Sequence, residues 1–462
     1  MNSDEFNTLN KKSKIVATEM YQLMEELFPI CRSITGNGVR QTLEILKNRI
    51  PIEVHEIPTG TKVFDWTIPK EWNINDAYII DPEGKKIVDF KISNLHVLNY
   101  SIPINKKISL TELKKHIHTI PEKPDLIPYV TSYYSENWGF CMSHKQFLGL
   151  KEGEYHVVID STLEDGFLTY GEYFIPGKNS DEILLSCYVC HPSMCNDNLS
   201  GIVLVTILAK YLKNFENNYS IRIIFVPETI GAITWIKQNE KKLSKIKHGL
   251  VATCLGDSGQ FTYKKSRQGN AEIDNTVIKI LEKTESDFKI VDFFPWGSDE
   301  RQFCSPGFNL PIGSLMRSMY GTKDFPEYHT SADNLEFVHQ KTLQESFEKY
   351  IEIIKSLEEN ISKNNVVQNH RNTKKSYDSK KYQNLIQKCE PQLGKRGIYR
   401  ILGGQNNNFE ERKNEFAIFW VLNLSDGTFS LNEISERSGL SLELIEKTAD
   451  VLMKVNLLKE IK

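Results

Sequence analysis

Residues 187–201 read CYVCHPSMCNDNLSG, which sets an imidazole, His191, shortly before a carboxylate, Asp197. An apolar run (Ile183, Leu184, Leu185) precedes them, and apolar residues at helical spacing follow Gly201 (Ile202, Val203, Val205, Ile207, Leu208). The pair therefore falls on a loop between a strand and a helix, where α/β proteins gather ligands and catalytic groups. Imidazole and carboxylate together suit zinc, which takes both at about 2.0–2.2 Å. Cys187, Cys190 and Cys195 are competing ligands in the same stretch, and a structural histidine at a strand end is the plain alternative. Three later loops carry groups of the same kind: Glu228 in VPETIG, Asp257 in LGDSG, and His329 with Asp333 in YHTSAD. Each alone reads as a helix cap or a solvated charge. Four strand-terminal loops of one unit, each with a ligand-type or acid–base side chain, point instead to chemistry at a shared centre.

To position these groups the chain needs a sheet whose strands end along one edge. Residues 183–185, 221–226 and 250–255 are strand-like and alternate with helical patterns over 202–212, 234–243 and 275–284. That alternation predicts a mostly parallel sheet flanked by helices. Upstream, the spacing of Met20, Leu23, Met24 and Leu27 predicts a helix over 20–28, then a helix over 39–50 and a strand over 51–57. A helix over 342–357 ends the unit. Between 65 and 153, short β-like pieces at 77–80 and 86–90 alternate with turns such as DPEG, which reads as a β-rich insertion. A strand at 156–159 and the run 168–175 lead back toward His191. Residues 361–382 are rich in Asn, Lys and Ser and read as a linker. A helix over 431–437, the turn SGLS, a helix over 442–455 and a short strand at 457–461 form a helix-turn-helix. The expected division is 1–64 and 155–360 for the core, 65–154 for the insertion, 361–382 for the linker and 383–462 for the last unit.

Bulk properties narrow the function classes. A net charge of -3 gives no field to attract nucleic acid or an anionic membrane. The polar first residues carry no secretory signal, and no run of about 18 apolar residues could span a bilayer. Eight scattered Cys fit reduced thiols in a cytoplasm. Cys187-x-x-Cys190-His191 matches the c-type haem pattern literally, but it ends an apolar strand, where Cys is a small buried residue. The second helix of the helix-turn-helix sets Glu443, Glu446 and Asp450 against Lys447 and Lys454. DNA affinity rests on Lys and Arg meeting phosphates, so this face suits protein contacts or self-association better than a duplex.

In combination these motifs resemble the co-catalytic zinc aminopeptidase superfamily of M28 type. More closely, the chain is similar to bacterial aminopeptidase-like proteins with an inserted domain and a C-terminal winged helix. Asp197-Asn-Leu-Ser-Gly201 resembles the superfamily motif whose Asp bridges two metals, and His191 stands for the preceding His. The YHTSAD stretch resembles the late His ligand motif, and GSDERQF at 297–303 the Ser-Asp-x-x-x-Phe stretch. The likeness implies a three-layer α/β peptidase core with zinc held by His191, Asp197 and His329. Where the superfamily has Glu-Glu-x-Gly, this chain has Glu228-Thr229-Ile230-Gly231. By the Gly register Glu228 is the general base and Thr229 replaces a ligand; a one-residue shift would make Glu228 the ligand instead. One zinc is then firmly held, and Asp257 could complete a second site.

The implied activity is hydrolysis of peptide or other amide bonds, an aminopeptidase first of all. Asp333 is a candidate second-shell partner of His329, or a helix cap. Arg301 and Tyr320 are candidates for substrate contact, with a surface ion pair as the alternative for Arg301. Arg32 and Arg40 could meet an anionic substrate group or simply order the loop before the second helix. Tyr133, Tyr134 and Trp138 could roof a cleft or fill the insertion's own core. Two other classes stand beside the hydrolase: a DNA-binding regulator on a peptidase fold, and a metal-binding scaffold without turnover.

Overall fold

The computed structural model describes residues 3–360, 380–404 and 409–461. All but the end of the expected linker lies outside the described residues. Eight strands form the central sheet: β1 (Glu53–Pro58), β2 (Phe167–Ile175), β3 (Glu182–Tyr188), β4 (Ser220–Val226), β5 (Ile246–Ala252), β6 (Phe261–Lys264), β7 (Phe288–Val291) and β8 (Ile312–Met316). Their order is β1-β2-β4-β3-β5-β8-β6-β7. The four middle strands β4, β3, β5 and β8 are parallel. β1 and β2 run antiparallel at one edge, and β6 runs antiparallel to β8 at the other. The sheet is thus mostly parallel at its centre, as the alternation predicts. β3 and β4 are buried along their whole length, so they read as mostly apolar runs, with the charged Glu182 and Arg222 paired to each other.

The flanking helices are α1 (Ser3–Leu27), α2 (Asn37–Lys47), α3 (Ser200–Leu212), α4 (Ile230–Asn239), α5 (Glu272–Thr284) and α6 (Gln340–Asn360). α1, α3 and α6 pack together on one face of the sheet. Met20, Leu23, Met24 and Leu27 fall on one stripe of α1 and are fully buried there. Each such side chain contributes roughly 1.5–3 kcal/mol of burial. α3 is buried on nearly every side, which explains its lack of a polar face. α4 covers the opposite face together with a second sheet.

That second sheet is antiparallel, in the order Lys86–Asp89, Glu71–Ile80, Glu154–Glu164, Ile104–Ser109. The strand expected at 156–159 to lead into the core is the long Glu154–Glu164 strand of this sheet instead. Only the following run, β2, joins the central sheet. Both strands flank one tight connection, and a local apolar pattern does not say which sheet each will join.

The last unit has strands Lys381–Asn384, Asp426–Ser430 and Leu458–Ile461 in one sheet, with helices Phe409–Leu424, Leu431–Ser438 and Leu442–Lys454. Ser430 and Glu433 cap the first of the paired helices reciprocally, Gly439 ends it at φ 68°, and the Ser441 hydroxyl caps the next. Phe416, Val421, Ile434, Ile445 and Leu452 form its core. It rests on the peptidase-like core through Trp296, stacked on Phe416 at 4.6 Å, and through the Arg267–Asp426 ion pair at 2.5 Å. No described helix is long and apolar enough to cross a membrane.

Candidate metal centre

The parallel register brings the strand ends level: Tyr188 lies opposite Val226, Ser186 opposite Val251, and Ala252 opposite Leu315. His191 follows β3, Glu228 follows β4, and Asp257 follows β5, so all leave the same edge of the sheet.

The DNLSG motif is a clamp on that edge. Asn198 Nδ2 donates to the Tyr188 and Ala252 carbonyls, and its Oδ1 accepts from Gly201 N. Ser200 Oγ donates to Asn196 O and accepts from Leu255 N. Gly201 passes so close to β5 that a Cβ there would lie 2.3 Å from Ala252 O. The motif thereby fixes Asp197 between the ends of β3 and β5.

The structure brings His191, Asp197 and His329 together, with one ligand atom from each inside a 4.8 Å span. His329 Nε2 is 3.0 Å from Asp197 Oδ2, and His191 Nε2 is 3.9 Å from it. Asp197 Oδ1 accepts from the Tyr188 hydroxyl, while its Oδ2 is buried without a hydrogen-bond partner. His329 Nε2 is likewise buried and unpartnered. Its Nδ1 lies 2.7 Å from the Gly404 carbonyl, which can only accept, so Nδ1 carries a proton and the ring turns Nε2 toward Asp197. A bare lone pair would repel the carboxylate oxygen at that distance, so the pair calls for a positive charge there, carried by a metal ion or by a second ring proton. The donor set therefore fits a divalent metal such as zinc. Burial pulls His191 down to about 4, which keeps its imidazole neutral and able to ligate. Burial opposes the charge on Asp197, yet His191, His329 and Tyr188 outweigh it and hold the carboxyl below its ordinary value.

Glu228 Oε2 stands 3.9 Å from His191 Nε2, and its side chain keeps 26% exposure to the cleft. Burial, then Asp299 and Asp197, push its carboxyl well above the usual range. Thr229 adopts φ 64°, rare for a β-branched residue and costing about 1–3 kcal/mol. Its N–H donates to Asp299 Oδ1 at 2.7 Å and its hydroxyl accepts from Arg301 Nη2 at 3.0 Å. Thr229 is thus committed to Asp299 and Arg301 and is no part of the His–Asp–His group.

The other expected residues are placed differently. Asp257 accepts from Asn196 Nδ2, Ser318 Oγ and Gly259 N, so it braces the loop and stands outside the three-residue group. Asp333 does not touch His329: its carboxylate accepts from the amides of Asn196 and Asp197, and burial pushes it up to about 8. Arg32 is buried and donates to His191 O and Leu27 O, holding the metal loop against α1. Arg40 pairs with Glu56 and with both oxygens of Glu71. Tyr320 is buried beside Glu300, at 3.2 Å, and Arg301 lines the cleft. Tyr133 and Tyr134 line it too, whereas Trp138 is stacked on His116 at 3.6 Å inside the second sheet's core.

The cleft measures about 360 Å³. One wall is the stretch between Glu390 and Gly404, which joins the first strand of the last unit to its first helix. Four residues near the centre escaped sequence reasoning. Asp299 lay in the GSDERQF stretch already singled out, and Tyr188 sits within CYVCH. Gly404 contributes only a carbonyl, and Tyr129, whose ring lies 5.3 Å from His191 and 5.1 Å from His329, has no motif.

Residues 21–360 match the family profile described as a domain of unknown function, DUF4910, and residues 380–460 match one described as a winged helix-turn-helix. A Clostridium acetobutylicum protein is 54% identical over 99% of both chains; it is provisionally named for polysaccharide biosynthesis and an aminopeptidase-like domain. A crystal structure from the same organism, provisionally called a peptidase, covers both chains completely at 52% identity and a TM-score of 0.76. The zinc aminopeptidase BSAP of Bacillus subtilis aligns at a TM-score of 0.55 and 13% identity, over 75% of this chain and 95% of its own. A Shewanella amazonensis M28 peptidase precursor aligns at 0.52 and 14%, over 76% and 96%. These distant likenesses establish the fold, that of M28-type zinc aminopeptidases, with a winged helix-turn-helix after it.

Proposed function

The chain belongs to the DUF4910 family, and from that premise we propose a zinc-dependent hydrolase of peptide or other amide bonds, aminopeptidase-like in its chemistry. His191, Asp197 and His329 hold the ion, and Glu228 is the general base. The observation that carries this reading is the pair of unpartnered buried atoms, Asp197 Oδ2 and His329 Nε2, facing each other at 3.0 Å beside the Glu228 carboxylate. The chemistry zinc supplies in such a site is polarisation of a carbonyl and acidification of a water.

The chain's own residues do the rest. Glu228 Oε2 takes the proton of the attacking water and returns it to the leaving amine. Its raised carboxyl pKa suits a group that must hold the proton between those steps. Arg301, through Thr229 Oγ1, fixes the turn that carries Glu228. Tyr129, held hydroxyl to hydroxyl by Tyr133 at 2.8 Å, packs against both histidines and forms an aromatic wall of the cleft. The Clostridium relative is named for polysaccharide biosynthesis as well as for an aminopeptidase-like domain, so sugar-linked amides belong with peptides in a substrate panel. Eight free cysteines agree with action in a reducing cytoplasm.

The test is metal analysis of protein purified without chelator, together with a panel of aminoacyl amides. Zinc is expected near one per chain, and Glu228→Gln is expected to lower turnover by roughly 10²–10⁴-fold with zinc content unchanged. Bound zinc with no hydrolysis of any amide would overturn the reading in favour of a scaffold without turnover.

A further inference from the structure

Among the described residues, three guanidinium nitrogens at the cleft have no hydrogen-bond partner. Arg400 Nε and Nη1 and Arg301 Nε are buried and make no hydrogen bond. Both residues line the same cleft as His191, Glu228 and His329. Neighbouring carboxylates pair with both groups but supply no hydrogen bond to these nitrogens. Arg400 reaches Glu415 only through Nη2, at 3.2 Å, and Glu415 also serves Arg412 at 3.1 Å. One carboxylate is therefore shared by two guanidinium groups. Glu390 lies 3.3 Å from Arg301 Nε without the alignment of a hydrogen bond. The other cations of this wall are occupied, since Lys395 and Arg396 both bind Asp65.

A buried charged donor left unpaired is costly, and native proteins rarely keep one without a use. Aromatic rings back these two arginines: Phe419 lies 5.6 Å from the Arg301 guanidinium, and Tyr399 lies 5.7 Å from that of Arg400. A planar guanidinium held against rings offers adjacent N–H groups that match the two oxygens of a carboxylate.

We propose that the cleft selects amide substrates bearing a carboxylate, which Arg400 receives with Arg301 as its neighbour while the scissile amide lies at Glu228. This deepens the hydrolase reading and rests on it for the second half. Arg400 is then a specificity residue supplied by the winged-helix unit itself, from the segment between its first strand and its first helix, and the wall it stands on is part of the substrate site.

The test is equilibrium binding of glutarate and of its uncharged isostere glutaramide to the full chain, measured by calorimetry after the metal and chelator are dialysed away. Glutarate is expected to bind at least about tenfold more tightly than glutaramide, the worth of one charge-assisted contact. Arg400→Gln is expected to erase that preference and Arg400→Lys to keep part of it. Equal binding of the two probes by the native chain overturns the proposal without recourse to any variant, as does a preference undiminished in a folded Arg400→Gln protein. A glutarate preference with no amide hydrolysed would sink the hydrolase reading alone. Hydrolysis of acidic and neutral amides at equal kcat/KM would sink the carboxylate site alone.

Discussion

Two atoms with nothing to bond to say most about the residue scale. Asp197 Oδ2 and His329 Nε2 are each shielded from water, and an unsatisfied buried polar atom costs about 1–3 kcal/mol. The fold keeps both, and it holds His329 Nδ1 on the Gly404 carbonyl so that Nε2 turns toward the carboxylate. A cation accounts for all of this at once. His191→Ala and His329→Ala are each expected to lower zinc affinity by at least roughly tenfold, read by competition with a fluorescent chelator. Asp257→Asn should spare the ion and act on stability, because its oxygens are spent on Asn196, Ser318 and Gly259. If it removed zinc while His191→Ala did not, the assignment of ligands would be wrong.

Elements hold those atoms still, and two devices do so here. The first is the contact of α3 with β5. Gly201→Ala places a Cβ 2.3 Å from Ala252 O and 2.4 Å from Asn198 Oδ1, and backbone cannot yield as a side-chain tip can. A loss of roughly 1–3 kcal/mol is expected in chemical unfolding, together with weaker zinc binding, since the displaced segment carries Asp197. The second device is Arg40. Its fork onto Glu71, at 2.6 and 2.7 Å, ties α2 to the start of the Glu71–Ile80 strand of the second sheet. The Arg40 hydrogen bonds hold the Glu71 carboxyl down to about 2 against an ordinary 4.5. A depressed acid binds fewer protons folded than unfolded. Its contribution is therefore complete above about pH 4.5 and drains away as pH falls toward about 2. The difference in stability between the native chain and Glu71→Gln is expected to be about 1–3 kcal/mol at pH 7 and to shrink toward zero across that window. A gap independent of pH would show that Glu71 acts through shape and not through charge.

For the whole molecule, the last unit is part of the site and not an appendage. Its stretch from Glu390 to Gly404 walls the cleft, and Gly404 holds His329. Gly404 sits at φ 77°, and a Cβ there would lie 2.5 Å from Tyr129 O. Gly404→Val should pull the carbonyl off the ring and weaken zinc binding roughly 10–100-fold, although the residue is far from the metal motifs in sequence. The winged helix itself presents Glu443, Glu446 and Asp450 beside Lys447 and Lys454 on Leu442–Lys454. Fluorescence anisotropy is expected to find no salt-dependent affinity for duplex DNA. Micromolar binding that weakens steeply with salt would contradict that.

The sequence by itself determined the kinds of group and the edge they share. Runs such as 221–226 ending in Glu228, and helix patterns between them, specify a parallel sheet because a strand buried on both faces is mostly apolar. The loops at their ends offered His191, Asp197, Glu228, Asp257 and His329 as candidates, and the family resemblance singled out His191, Asp197 and His329 as ligands and Glu228 as base. Their environments lay beyond it. Nothing local marks Gly404 as the partner of His329, or Asp333 as a brace for the Asp197 amides, since a carbonyl is common to every residue and a carboxylate takes whichever donors come near. The placing of Glu154–Glu164 in the second sheet and the standing of Arg400 in the same cleft as His191 likewise arise from segments distant in the chain. Periodicity is a property of neighbours in sequence. Desolvation, tautomer and partner choice are properties of neighbours in space, and only the tertiary structure decides those.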